Sequence, residues 1–504
     1  MEIRKIHEID ALPAARWSGQ KLLLRLAQGV FAAFCLETIF ALPFRSLQLA
    51  GRSDRIAVIV ALGVVLFASL LFALRNKILP LLSRCLRLPD VGEKVWLLSM
   101  LTVGLAMRLA WALSFPVTLK SDHLAYFQIA AQMAQGHLGP GAYWPPGFSL
   151  ALTPFFMVLG AQLWVAKACG LLFFVVTCLL THALAMRLQG IQTARIATLL
   201  VAVWPGYFTL AGINCKEVFL AMLLPAAIFF YCKTSAGFAA ANRDGLPAGS
   251  KEEKYRWGYT IAAGLCMGLA SLTQPGYMLF PAVILLAELL RGVGLVRAAW
   301  RTSLFSMALL AAILPWTYRN YLVCQHVVLI STNGGSVFYR ANNANANPNY
   351  NAEGEVALPK DEFEADRVGY QMAKAWIRQH PADFAVLMFR KQLVFLGDDA
   401  LGAYETLKRD QNPSVLLYSS VKGICNLFWL AIWTGLLLGL PLLFRQKKWQ
   451  IWFGLLFLPL LYQWAIDSVF ESGPRHHIPY LALMAVMAGM VWNEAVRQSG
   501  KVSA

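Results

Sequence analysis

The sequence predicts an all-α protein that crosses a membrane about twelve times, and three observations support that prediction. Of its 504 residues, 58% are hydrophobic and only 14% are charged, so most of the chain cannot be surrounded by water. The apolar residues fall in runs long enough, or nearly long enough, to span a bilayer. The Lys and Arg residues sit in short stretches between those runs, and they fall on one side if the amino terminus is cytoplasmic.

In chain order, Arg4, Lys5, Arg16 and Lys21 precede the first apolar run without a small-residue cleavage site, which reads as an uncleaved first span. The candidate spans are 27–43, 56–74, 95–115, 163–186, 196–210, 218–231, 257–272, 277–290, 304–316, 424–444, 451–466 and 478–496. Residues 1–92 thus form an N-terminal region with two additional spans. Residues 93–318 form a transmembrane core whose first outer loop is 116–160, and 319–420 form a mixed outer, periplasmic segment of roughly a hundred residues. Residues 421–504 hold the last spans. The basic stretches Arg75 to Lys94, Lys233 to Arg256 (with Arg243, Lys251 and Lys254), Arg291 to Arg301, Arg445 to Lys448 and Arg497 to Lys501 put both termini inside. Residues 147–160 are too short to add a span without inverting that pattern, so they read as an interfacial helix on the outer side.

The net charge of +17 is accounted for by these loop cations and does not point to nucleic acid. Nine cysteines show no metal-ligand spacing and no disulfide framework, although Cys215 and Cys324 both fall outside and could pair. In the outer segment, the Asn-rich stretch 331–351 is too polar and turn-prone for regular structure and reads as a ligand-covering loop or a linker. Residues 361–379 have acids in the first turn and Lys374 and Arg378 near the end, as a dipole-matched helix would. Residues 384–395 are amphipathic enough to lie on the membrane.

The candidates for chemistry collect on the outer side. Asp122 and Tyr126 share a helical face, and Ala130, Ala131 and Ala134 let that helix lie close to a neighbour. Gly136 can end it, and Tyr143-Trp144-Pro145-Pro146 turns the chain back. Asp122 reads as a catalytic carboxylate or as a helix N-cap. His123 beside it is an acid/base, a metal ligand or a hydrogen-bonding bystander. Glu217 follows Lys216 at the start of a span, where a carboxylate suits either a site or the helix dipole.

Arg108 lies within the third span, so its guanidinium must find an anion: Asp122, Glu217 or a phosphate. Lys167 at the outer end of the next span can snorkel. Near the carboxyl terminus, Glu471, Arg475, His476 and His477 share a short outer turn, and the fork of Arg475 suits a lipid-linked phosphate. Arg319 and Asn320, after Pro315-Trp316-Thr317-Tyr318, either do the same or mark the interface.

Several of these pieces occur in a characteristic order. They are Ser121-Asp122 with Tyr126, then Tyr143 to Phe148, Lys216-Glu217, Leu272-Thr273-Gln274-Pro275 and Pro315-Trp316 to Arg319-Asn320-Tyr321. Ser331 to Gly335 with Asn342-Asn343, His380-Pro381 and Pro474-Arg475 follow. In these motifs, over about 95–496, the chain resembles the membrane glycosyltransferases of the GT-C fold. The resemblance is closest to bacterial relatives of the protein O-mannosyltransferases (glycosyltransferase family 39) and of the lipid A aminoarabinose transferase.

The resemblance implies Asp122 as catalytic base and Glu217 as the second acid. It also implies an inverting enzyme in the bacterial cytoplasmic membrane, passing one sugar from a polyprenyl-phosphate donor of the undecaprenyl type to an envelope lipid, glycan or protein. Arg108, Lys216, Arg319 and Arg475 are then the candidates for the donor phosphate. His123, Tyr126, Tyr143, Asn320, Glu471 and His476 are candidates for acceptor or loop contacts, with a divalent cation conceivable at Asp122 and Glu217. The family pattern is broken at His123, Gln274 and His476. A transporter or flippase for a lipid-linked sugar, or a polysaccharide polymerase or ligase, is the alternative. No internal repeat is visible and the acids sit at loop-helix junctions, which favours the transferase.

Overall fold

A computed structural model describes residues 3–85, 88–89, 91–238, 255–346, 358–409, 414–446 and 448–502, and these are helical with no strand. Helices α1 (Ile3–Leu49) and α2 (Asp54–Ala73) form an antiparallel pair around Gly51, whose φ of +73° suits the turn. Ile59, Leu66 and Phe67 on α2 are exposed, as expected of a helix that meets lipid on most of its surface. A short α3 (Arg75–Cys85) leads into α4 (Glu93–Ser114). Next come α5 (Ser121–Ala134), α6 (Gly147–Leu159) and α7 (Leu163–Gln189). Gly136, at φ +85°, follows the end of α5 as its position in the sequence suggests.

The next span is broken. α8 (Ile191–Val203) and α9 (Pro205–Phe208) meet at a 49° bend, because Pro205 has no N–H to continue the ladder. Then come α10 (Lys216–Cys232), α11 (Trp257–Thr273), α12 (Pro281–Leu290) and α13 (Leu295–Cys324). α11 and α13 cross closely at Gly264 and Gly268, where a methyl on Gly264 would stand 2.7 Å from Ala308 Cβ. After the segment holding α14 (Gly334–Arg340), α15 (Glu362–Gln379) and α16 (Pro381–Leu396), the chain closes with α17 (Val415–Leu438), α18 (Trp449–Val469) and α19 (Leu481–Val502). α19 is the central post: 83% of its apolar window is buried, against 17% in α2.

Among the described residues, eight helices are long and apolar enough to cross a membrane, or up to nine if the bent pair counts as one span. The multi-pass character expected from hydropathy is therefore present, whereas the count of twelve is not reached by length. α10 and α11 have 17 residues each, and the run at 277–290 is shortened by a 3₁₀ turn over Pro275–Leu279. Hydropathy counts apolar residues and does not register where the helix carrying them is interrupted.

Three other expectations change. Part of the Asn-rich stretch is helical, since α14 lies within it, while 347–351 fall outside the described residues, as do Arg243, Lys251, Lys254 and Lys447. Asn342 and Asn343 follow α14 and donate to the carbonyls of Phe338 and Tyr339, which satisfies acceptors that the helix end would leave open. The carboxyl half of 384–395 is not a surface helix. Leu387, Lys391 and Leu393 to Leu396 are buried against α1 and α18. Cys215 and Cys324 are unpaired thiols. α15 forms as the charges predict, with Asp361 capping through the N–H of Glu364 at 2.8 Å.

Candidate active site

Three chain segments meet at one end of the bundle: the first turn of α5, the first turn of α10 and the turn between α18 and α19. Ser121, the first residue of α5, adopts φ +50°, and Asp122 caps nothing; its carboxylate is turned across to the late turn. Arg475 Nη2 donates to Asp122 Oδ2 at 2.7 Å, and Arg475 Nε lies 3.2 Å from Glu217 Oε1. One guanidinium thus bridges two carboxylates. The second contact is an ion pair whose angle falls short of a hydrogen bond, leaving Glu217 Oε1 without a donor. The other oxygen, Oε2, accepts from the thiol of Cys215 at 2.8 Å.

The cluster is unevenly covered. The Glu217 side chain is 1% exposed, whereas Asp122 and Arg475 keep 27% and 22%, so the site opens on the Asp122 side. Burial alone would raise the Asp122 carboxyl, but the charges of Arg475 and then Lys216 outweigh it and hold it at about 2. The same pairing outweighs burial at Arg475 and raises its guanidinium well above the usual value. Lys216 Nζ lies 5.8 Å from the centre of the Tyr126 ring. Tyr126 is fixed between Trp144 and Phe148, and Trp144 is in turn met edge-on by Tyr143 at 5.4 Å. His123 is tied to the neighbouring segment: its Nδ1 pairs with the Asn214 carbonyl at 2.9 Å, and Asn214 Nδ2 returns a bond to the His123 carbonyl. Burial and the Arg475 charge lower its imidazole.

The late turn is held by two buried carboxylates that the sequence did not single out. His476 Nδ1 pairs with Asp467 Oδ2 at 2.9 Å, and Asp467 Oδ1 accepts from Gln463. Burial would lower the His476 imidazole, but the charge and hydrogen bond of Asp467 outweigh it, so it is raised. His477 pairs with the Phe395 carbonyl and with Asp399, whose other oxygen accepts from Trp204. Arg475 therefore sits beside two anchored histidines. Glu471 makes no hydrogen bond or ion pair among the described residues.

Arg108 and Arg319 are placed elsewhere. Arg108 Nη1 donates to the carbonyls of Gly104 and Ala202 and Nη2 to that of Val201, with the guanidinium 3.5 Å over the Phe174 ring. Val201 and Ala202 close α8, and the partner that Val201 would find four residues on is Pro205, which has no N–H. The arginine caps the broken span, which explains its burial without either carboxylate. Arg319 donates to the carbonyls of Leu138, Gly139 and Gly141 and to Asn320 Oδ1, while Asn320 Nδ2 holds the Val328 and Ile330 carbonyls. Arg319 thus pins the loop after α5 to the end of α13, and Asn320 ties the chain beyond α13 back to it. Glu362 of α15 supports the same loop, accepting from Ala142 N–H and Thr332 Oγ1 at 3.0 Å each.

Lys391 is a further group missed from the sequence. It is 2% exposed and its ammonium donates to Asn342 Oδ1 and the Val469 carbonyl, with burial pulling its pKa down to about 7. The signal was present in its phase: Leu387, Lys391 and Phe395 fall on one buried face, four residues apart.

The carboxylate pair is a poor fit for a divalent cation. Arg475 occupies the space between Asp122 and Glu217, and no group of three or more His, Cys, Asp or Glu side chains among the described residues could hold a metal.

No protein-family model and no curated protein matches the chain. Among solved structures it is similar to the archaeal oligosaccharyltransferase AglB from Archaeoglobus fulgidus in complex with an inhibitory peptide and a dolichol-phosphate. That match has 14% identity and a TM-score of 0.45, covering 79% of this chain and 50% of that one. It is also similar to ArnT from Cupriavidus metallidurans bound to undecaprenyl phosphate, with 14% identity and a TM-score of 0.39 over 81% and 79% of the two chains. Both are GT-C glycosyltransferases, the fold whose motifs the sequence resembles. The chain spans about half the length of the oligosaccharyltransferase.

Proposed function

We propose that the chain is a membrane glycosyltransferase that moves one sugar from a polyprenyl-phosphate donor to an envelope acceptor, with the Asp122 cluster as its active site on the outer face of the cytoplasmic membrane. The observation that carries this reading is the half-open bridge of Arg475 between Asp122 and Glu217, with Lys216 alongside. Transfer needs a base for the acceptor hydroxyl and positive charge for the leaving phosphate, and both are present within that bridge.

In the step, the acceptor oxygen bonds to the anomeric carbon from the face opposite the phosphate and its proton passes to Asp122. The bond from that carbon to the phosphate oxygen breaks, and its electron pair leaves with the lipid phosphate. Arg475 and Lys216 receive the developing charge. The resting pair makes Asp122 fully ionised but weakly basic. A donor phosphate that draws the Arg475 fork to itself frees Asp122 and raises its proton affinity, so that the base strengthens only when donor is bound.

The transporter alternative is less well supported, because the charged cluster lies at helix ends and the one ionic residue well inside α4, Arg108, is committed to backbone carbonyls. Mass spectrometry of envelope glycolipids and glycoproteins tests the reading in cells lacking the chain, complemented with wild type or with Asp122→Asn. A sugar-sized mass difference restored by wild type and not by the Asn variant is expected. Equal restoration by both would remove Asp122 from the chemistry, and no difference at all would remove the reaction.

A further inference from the structure

Three aromatic rings run outward from the Asp122 cluster. Asp122 and Tyr126 share a face of α5, the Lys216 ammonium lies over the Tyr126 ring, and Trp144 and then Tyr143 follow edge-on at 5.5 and 5.4 Å. Burial raises the Tyr126 phenol against the pull of the Lys216 charge, and the charges of Asp122, Glu217 and Arg475 reach it too, so the first ring stands inside the cluster. Tyr126 is buried, whereas Tyr143 and Trp144 are half-buried. Their polar tips are unused. The phenol oxygens of Tyr126 and Tyr143 and the Nε1 of Trp144 make no hydrogen bond among the described residues, and none of the three is sealed off. Packed Tyr and Trp tips ordinarily find a partner, so three adjacent ones without any point to a ligand that supplies it.

The rings are also held still. Arg319 donates to the carbonyls of Leu138, Gly139 and Gly141, Glu362 accepts from the Ala142 N–H, and the Thr332 N–H donates to the Ala142 carbonyl at 2.9 Å. On the other side Pro145 and Pro146 restrict the backbone, and Gly147 abuts Thr273 so closely that a Cβ would not fit. Aromatic anchors at a membrane surface face the lipid headgroups and need no such clamp, whereas these two turn inward onto Tyr126. The clamp also uses up the charges beside it: Arg319 is spent on carbonyls and Asn320, and Glu362 on Ala142 and Thr332. What is left is a fixed apolar platform with uncharged polar tips.

We propose that Trp144 and Tyr143, together with Tyr126, form the subsite for the sugar ring of the donor, and that the ring is an uncharged pyranose. The assignment rests on the transferase reading, in which Lys216 and Arg475 hold the donor phosphate. The sugar is bonded directly to that phosphate, so a phosphate at Lys216 leaves its sugar beside the ring that Lys216 covers and next to Trp144. A pyranose has the matching chemistry. The C–H bonds of one face pack on an aromatic ring, and hydroxyls at the edge accept from the indole N–H and exchange bonds with the phenols. A carboxylate on the sugar would lose water there and find no free cation on the platform.

The test is binding by the full chain in a detergent without a sugar headgroup, measured by calorimetry. The probes are neryl methyl phosphate, a phosphodiester without sugar, and neryl phosphodiesters of mannose, glucose, galactose and N-acetylglucosamine. At least one of the four is expected to bind about tenfold more tightly than neryl methyl phosphate. Trp144→Ala and Tyr143→Ala should each remove most of that gain while neryl methyl phosphate binds as to wild type, which also reports a folded site. Trp144→Phe keeps a ring and loses the indole N–H, so it should keep part of the gain. If Trp144→Ala loses the plain phosphodiester as well, the half-buried Tyr143→Ala decides.

A gain that survives in the Ala variants, or no gain from any of the four sugars, would overturn the subsite. A gain reproduced by the methyl glycosides without phosphate would give the platform to an acceptor sugar and overturn its assignment to the donor. The two readings fail separately. Neryl methyl phosphate binding that Arg475→Lys weakens, with no gain from any sugar, would sink the subsite and leave the transferase; a Trp144-dependent gain in a wild type that moves no sugar to the envelope would sink the transferase alone.

Discussion

At its first turn α10 carries Glu217, which shares one guanidinium with Asp122; at its last turn Tyr231 donates to Glu288, which is shared by two. The ends are about 21 Å apart, 14 residues at 1.5 Å each, so one helix displays two opposite ways of placing charge in an apolar body. At the Glu288 end every carboxylate oxygen is filled. Oε1 accepts from Arg291 and Tyr231 and Oε2 from Arg301, all within 2.9 Å, and the carboxylate is wholly buried. Arg291 and Arg301 also lie over the rings of Phe238 and Tyr255. At the Glu217 end one oxygen lacks a donor, the Lys216 ammonium lies over a ring with no hydrogen-bond acceptor among the described residues, and a carboxylate is a quarter exposed. A saturated cluster ties three helices together. An unsaturated one keeps capacity for a ligand, and that difference is the physical reason for placing chemistry at Glu217 and architecture at Glu288.

The comparison breaks most readily through stability. Glu288→Gln takes the buried anion from two half-buried guanidiniums and should cost about 3 kcal/mol in thermal or denaturant unfolding, while the specific activity of the folded fraction stays at wild type. An unchanged melting curve would mean that the saturated cluster holds nothing. Asp122→Asn should do the reverse, losing about a hundredfold or more in transfer rate with little change in melting. If it melts as Glu288→Gln does, the two ends are alike and the distinction is lost.

Arg475→Lys keeps the charge but not the fork that reaches both carboxylates, so kcat/KM should fall by about ten- to a hundredfold. Donor titration then separates a loss in kcat, from the leaving group, from a loss in KM alone.

The smallest expected effect is in pH. The folded His476 is raised above its unfolded value near 6.5, so its pair with Asp467 adds stability below that value and loses it as pH rises through the higher folded one. The melting advantage of wild type over His476→Gln should therefore shrink, on the order of a degree or two, between acid and alkaline buffer. Asp122 has the opposite sign. Held at about 2, it contributes above its unfolded value near 3.8 and loses that only as pH falls towards 2, so it should add no limb near neutrality. An acid limb near neutrality in kcat/KM for the donor, which reports the free enzyme, would contradict the resting pair if Asp122→Asn removed it.

What could be read from the sequence followed local rules. The α15 helix was visible because its cap, acids and bases obey rules that act within a few residues. Asp122, Glu217 and Arg475 were each conspicuous as charged residues at span ends, but their meeting joins positions 353 residues apart and leaves no local trace. The partners of Arg108 were misjudged for a related reason. A buried guanidinium was matched with Asp122, Glu217 or a phosphate, whereas the break at Pro205 supplies carbonyls that serve as well. Asp399, Asp467 and Lys391 stayed hidden because a single polar residue in an apolar run resembles a loop edge until helix phase is considered.

The bond from Arg108 to the end of α8 also sets an order on the birth of the protein. α4 leaves the ribosome 94 residues before Ala202, so for that interval its guanidinium enters the bilayer with only its own helix to bond. A lone arginine at the centre of a span disfavours insertion by about 2.5–3.5 kcal/mol, and Arg108, six residues from the end of α4, costs less than that. α4 is therefore expected to insert reluctantly until α7 and α8 arrive to receive it. A nascent chain halted before α8 should leave α4 accessible from the aqueous side, and one halted after α9 should not.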